Sequence, residues 1–187
     1  MRLINRLSLS FLLTSLVVGL FVILWTAMTW REYQDSLSDI EVSSLEFVKQ
    51  DLASLQLDLE YKSELFSKRS LSRRGVNTRY KVLAFIDEKG IVNHATNLAY
   101  VTKSSKIALP NFDVVRFEKV KDRHQTNVYY KKENEWVSVY FPVILERLDN
   151  EIRPTKVGVI FAIYDLSQEK LKIWNRVKNS AIKIGLL

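Results

Sequence analysis

Between Leu7 and Trp30 the chain reads "LSLSFLLTSLVVGLFVILWTAMTW", 24 residues without a charge. A helix of that length, at ~1.5 Å per residue, is roughly 36 Å long and crosses a hydrocarbon layer of about 30 Å. Arg2 and Arg6 precede the run, and Trp25 and Trp30 stand near its far end, where indole rings favour the membrane interface. A cleaved secretory signal has an apolar run of only about 7–15 residues closed by a small-x-small site. This run is longer, and its exit "TAMTWRE" carries no such site. Residues 7–30 are therefore expected to be an uncleaved transmembrane signal anchor behind a short cytoplasmic N-terminus, residues 1–6. The only charges on the short side are basic, so residues 31–187 are expected outside the cytoplasm. In a bacterium this means the periplasmic face of the inner membrane, with the lipid bilayer as the first partner.

The formal net charge of +7 has a definite location. Residues 31–74 are slightly acidic and residues 75–155 slightly basic, whereas from Lys156 onward six bases face only Asp165 and Glu169. The excess thus sits in the first six residues and in the last segment, both beside a membrane on this reading. There basic side chains gain about 1 kcal/mol each from anionic headgroups. "KRSLSRR", Lys68 to Arg74, is the one internal basic cluster, and cations at a helix end are favoured by its dipole. An exported chain of this kind is not expected to bind nucleic acid. The absence of cysteine excludes disulfides, thiolate catalysis and thiolate metal sites.

From Arg31 to Arg74 there is neither proline nor glycine, and Gly75 is a helix-stop signal. Leu45, Val48, Leu52, Leu55 and Leu59 recur at helical spacing, so residues 31–75 are expected to form one long helix or stalk continuous with the span. This apolar seam is expected to pack on its own domain, on a second copy of the chain, or on both; a homodimer joined partly through the membrane-proximal part of this helix, about residues 33–48, is the assembly expectation. Residues 76–166 then read as strands. "YKVLAFID", "EKG" and "IVNHAT" form one hairpin, and "TNVYY", "KKENE" and "WVSVYFPVIL" a second. One or two short helices are expected between them around Pro110, and "RLDNEIRP" is a loop. "KVGVIFAIYD", Lys156 to Asp165, is apolar on both faces, with Val157, Val159, Phe161 and Ile163 opposite Ile160 and Ala162. Such a strand belongs in the middle of a sheet. Residues 167–187 form an exit helix with Leu171, Trp174, Val177, Ala181 and Ile184 along one stripe.

The expected fold class is α+β: a transmembrane helix running into a long helix, then a five-stranded antiparallel sheet and a C-terminal helix. "VLAFIDEKGIVNHAT" resembles the first hairpin of PAS-like and Cache sensor domains, an apolar strand ending in Asp before an x-x-Gly turn. "VGVIFAIYDLSQEKL" resembles their closing strand and exit helix. The resemblance implies the N-terminal input region of a bacterial transmembrane receptor. In such receptors a second span leads to a cytoplasmic output domain, such as a diguanylate cyclase of the GGDEF/EAL class, a histidine kinase or a chemotaxis module. A second span is accordingly expected to begin within about ten residues of Leu187. The alternative is a self-contained membrane-anchored periplasmic scaffold whose basic C-terminal helix lies on the bilayer. The Asp-x-Arg pattern by which some double Cache domains bind amino acids has no match, and no binding residue is carried over.

No catalytic residues, metal ligands or cofactors are expected. His94 and His124 stand in neither a His-x-x-x-His nor a His-Glu-x-x-His pattern. There is no Gly-x-Ser-x-Gly, and five glycines leave little material for a phosphate-cradling loop. Asp87, Glu88 and Asp165 read as turn and strand-end residues. The candidate ligand-binding residues are aromatic. By alternation Trp136, Ser138 and Tyr140 share a face opposite Val137, Val139 and Phe141, with Tyr129 on the paired strand. Such a Trp/Tyr face either lines a pocket for a small periplasmic ligand or partner, or only makes cross-strand pairs that hold the hairpin. Arg79 and Tyr80, at the edge of the first strand, are a weaker candidate for an anionic ligand.

Overall fold

The computed structural model describes residues 9–61, 64–131, 135–146 and 156–185. The expected cytoplasmic residues 1–6, most of the second hairpin turn and the "RLDNEIRP" loop lie outside the described residues. In chain order the elements are α1 (Leu9–Tyr61), α2 (Glu64–Gly75), β1 (Tyr80–Ile86), β2 (Val92–Ala95), α3 (Ser105–Ala108), α4 (Val114–Arg123), β3 (Asn127–Lys131), β4 (Trp136–Glu146), β5 (Lys156–Asp165) and α5 (Ser167–Gly185). They form two compact units: Val42–Gln168, and the chain up to Glu41 together with the chain from Glu169 on.

The Val42–Gln168 unit is built on one antiparallel sheet of order β2-β1-β5-β4-β3. The doubly apolar β5 takes the central place that its composition requires, with residues Val157 to Tyr164 buried. One face packs Leu83, Phe85, Val137, Val139, Ile160 and Ala162 against Val48, Leu52 and Leu55 of α1. The other packs Val82, Ala84, Ile86, Val159, Phe161 and Ile163 against Leu109 and against Phe117 and Val120 of α4. Strand alternation therefore separates two cores. At Gly158 a Cβ would lie 2.7 Å from both the Ile86 carbonyl and the Phe85 ring, so only glycine lets β5 pass β1 this closely.

The expectation of one helix from residue 31 to 75 is corrected. α2 doubles back along α1: Ser70 donates to the Asp58 carboxylate, and Arg74 Nε lies 2.9 Å from Asp51 Oδ1. In one continuous helix, residues 23 positions apart would be about 35 Å from each other. Arg74 also reaches Ser70 Oγ at 2.5 Å and Ser54 Oγ at 3.0 Å, so a single guanidinium joins the two helices. Of the partners expected for the seam, the chain's own domain is the one the structure shows. Val48, Leu52 and Leu55 are fully buried on the chain's own sheet, with Leu45 and Leu59 packed at the margin of the same core. The apolar surface of Val48, Leu52 and Leu55 is spent within the subunit.

In the other unit, α1 holds a stretch long and apolar enough to cross a membrane, with mean hydropathy 2.3 in a window of which nothing is buried. Lys170 Nζ lies 3.2 Å from Glu41 Oε1, and the Trp174 ring meets Tyr33 edge-on at 5.6 Å. The inward stripe of α5 is Ile173 and Val177, whereas Leu171 and Trp174 are about half exposed. Val177 and the half-buried Ala181 keep the expected stripe, while at its start Ile173 takes the inward place expected of Leu171 and Trp174. Ile184 lies where no side chains are described.

Candidate functional site

A pocket of about 470 Å³ opens on the sheet face turned away from α1. Its floor comes from the second hairpin. The register sets Asn127 opposite Tyr140 and Tyr129 opposite Ser138, so all four share one face. Its wall is the start of α4, where Asp113 is the N-cap, its Oδ1 accepting from Val115 N at 2.9 Å and Arg116 N at 3.3 Å. The backbone N–H of Asp113 in turn donates to the Tyr140 hydroxyl at 2.8 Å, tying helix cap to sheet. Asn111, at the pocket edge, takes a left-handed φ of 54°, a conformation asparagine tolerates.

Arg116 occupies the centre. Its Nε donates to Asp113 Oδ2 at 3.1 Å and its Nη1 to Asn127 Oδ1 at 3.1 Å, and the guanidinium lies 4.1 Å from the centre of the Tyr129 ring. Three side chains thus orient one planar cation, which is half-buried and stacked on an aromatic face. Among the described residues Nη2 makes no hydrogen bond, which leaves a donor edge for a ligand. Tyr140 is buried, and burial pushes its phenol up to about 12 despite the hydrogen bond from Asp113, so it stays neutral. Phe112 stacks near Tyr140, Phe117 and Phe161 at 5.3–5.8 Å and closes the apolar end. The arrangement suits a small polar molecule with an acceptor for Arg116 and an apolar part for the aromatic end.

Of the residues expected from sequence, Tyr129 and Tyr140 line this pocket. Trp136 shares their face but packs on the neighbouring core. Arg79 and Tyr80 lie elsewhere. A bulge between Tyr80 and Val82 turns Tyr80 to the α1 face, where its hydroxyl donates to Asp51 Oδ2 at 2.7 Å. Burial and that bond hold the Tyr80 phenol far above its usual range. Arg79 donates to the Tyr164 hydroxyl at 3.0 Å on the same side. These two residues and the tyrosine pocket cannot serve one ligand. Asp113, Arg116 and Asn127 escaped the sequence reading because they come from a helix and a strand end that converge only in the fold. The available signal was Pro110-Asn-Phe-Asp113, a turn ending in an N-cap residue.

A broader concavity of about 910 Å³ lies over edge strand β2, lined by Leu71, Val92, His94, Leu98 and Val101 with Lys68 at its rim.

The fold and pocket define an α+β chain with a five-stranded antiparallel open sheet between a long helix and a set of short ones. No protein-family model matches the sequence, and no curated protein matches it. A solved structure described as the ligand binding domain of Mlp24 with asparagine is similar to this chain at a TM-score of 0.39 and 16% identity, over 77% of this chain and 62% of that one. This chain therefore spans less than two thirds of that structure's length. So distant a likeness says nothing of what this chain binds.

Proposed function

We propose that this chain is the periplasmic signal-sensing input module of a membrane-bound signal-transduction protein, anchored by the apolar run of α1 with its N-terminus in the cytoplasm. The observation that carries the reading is the pocket around Arg116, built on strands whose opposite face packs the long helix. Tyr140 and Ser138 face the pocket, while Val137 and Val139 on the same strand face Val48, Leu52 and Leu55. A ligand that draws α4 and β4 together favours one packing of sheet on helix over another, and only such differential binding moves a two-state device. β5, the neighbour of β4, ends at Asp165 and passes directly into α5, which gives the displacement a second route. On this reading the chain catalyses nothing, and the output is a domain outside it that turns over cyclic di-GMP or transfers phosphate from histidine.

The test uses the full chain in detergent or nanodiscs, screened by thermal shift against amino acids, small carboxylates and amines. The expected result is a compound that raises the melting temperature of the wild type and leaves Arg116→Ala unmoved, while the variant's circular dichroism stays native. A compound whose shift survives both Arg116→Ala and Tyr129→Ala would remove this pocket from consideration.

A further inference from the structure

The stretch of α1 before Glu41 and α5 run antiparallel, as the pairs Glu41–Lys170 and Tyr33–Trp174 fix their directions. Where α5 comes level with Trp25 and Thr29, a groove of about 560 Å³ opens between the two helices. Val177, Ala181 and Ile182 form its other wall, and among the described residues Lys178 is the single ionisable side chain that lines it. The groove makes few polar demands. The Thr29 hydroxyl donates back to Trp25 O at 2.9 Å, and the Thr26 hydroxyl is likewise spent on its own helix. Trp174 and Ile182 are both 48% exposed beside it.

Trp25 and Thr29 belong to the 24-residue uncharged run, so the medium at this level is lipid if α1 spans the membrane, and the inference rests on that part of the proposed function. Trp25, Trp30, Tyr33 and Trp174 then mark the interfacial layer, where indole and phenol rings settle. An apolar slot in that layer with one ammonium at its side matches an acyl chain joined to an anionic headgroup. A soluble ligand would find a single polar partner there. The charge agrees: α5 carries five basic residues against Glu169.

We infer that the groove between α1 and α5 is a binding site for an anionic phospholipid of the outer leaflet of the inner membrane, its acyl chain along Trp25, Val177 and Ile182 and its phosphate on Lys178. Lipid composition would thereby bias the helix pair that the sensor uses for output.

The experiment places the full chain, with Trp30→Phe and Trp136→Phe leaving only Trp25 and Trp174, in phosphatidylcholine vesicles. Acyl-brominated phosphatidylglycerol or acyl-brominated phosphatidylcholine is then titrated in, and tryptophan quenching is followed. Brominated phosphatidylglycerol should reach half-quenching at a mole fraction about fivefold lower, the worth of one lysine near an anionic surface. Lys178→Gln should bring the two curves together. Equal curves in the parent chain, or a preference that survives Lys178→Gln, overturns the site. Tryptophans quenched by neither lipid in vesicle-bound protein would mean that protein, such as a second copy, covers the groove, and the proposal fails. Flotation of the same samples separates this from the anchor itself: a chain that does not float with vesicles refutes the membrane reading, whereas one that floats without selective quenching refutes only the lipid site.

Discussion

Asp165 ends the central strand, and its carboxylate closes two joints at once. It accepts from Ser167 N at 2.9 Å, capping α5, and meets Lys81 Nζ of β1 at 2.9 Å. Burial alone would raise its pKa, but the bonds from Ser167 and the Lys81 ammonium outweigh it and hold the group below its ordinary 3.8. A depressed folded-state pKa contributes stability above the unfolded value and loses it as pH falls through the folded one. Stability should therefore decline below about pH 4, and Asp165→Asn should flatten that acid limb while lowering stability at neutral pH, as urea titrations across the range would report. A variant with the parent's acid limb would show that other carboxylates carry it. Asp165 was legible as a strand end, and Trp136, Ser138 and Tyr140 as one face, because those readings need only the two-residue period. Arg116 was not, because its role arises from Asp113, Asn127 and Tyr129, which the chain brings together only on folding.

Among the elements, β4 shows how an exposed edge is managed. Its partner β3 stops pairing at Tyr140, so β4 continues beside an open side. Pro142 has no N–H to leave unmet there, and two residues on, the Ile144 N–H donates to Glu60 Oε1 of α1 at 2.8 Å. Gln56 donates to the same oxygen at 2.7 Å and holds it in place. Removing the acceptor leaves a partly buried donor unpaired, so Glu60→Ala should cost about 1–3 kcal/mol in chemical denaturation. Glu60→Gln, which keeps an acceptor oxygen, should recover most of that loss; equal losses in the two variants would show that the contact with Ile144 is incidental. The two hairpins and the central place of β5 were readable from apolar character and turn residues. The reversal between α1 and α2 was not, because neither glycine nor proline marks it and the helical apolar spacing continues up to it. Which neighbour the leucine seam would meet was equally hidden, since spacing defines a face and says nothing of what covers it.

For the whole molecule the decisive quantity is which side of the membrane the Val42–Gln168 unit occupies. The fold itself is neutral on the point, as its sheet and pocket would be the same in either compartment. The constraint lies in the flanks of the apolar run: Arg2 and Arg6 are the only charged side chains before it, whereas acids and bases are mixed after Trp30. If the run spans the membrane, retention of short basic flanks on the cytoplasmic side is expected to export the rest, as proposed above. Because the chain contains no cysteine, a single introduced thiol reports position without background. Val76 suits the purpose, being 80% exposed directly after α2 and outside both cores. In intact cells expressing Val76→Cys, a bulky membrane-impermeant maleimide that passes the outer membrane should label the protein fully, with no gain when the inner membrane is permeabilised. Labelling that appears only after permeabilisation would reverse the orientation. The pocket around Arg116 would then sample cytoplasmic metabolites, and the lipid groove between α1 and α5 would face the inner leaflet.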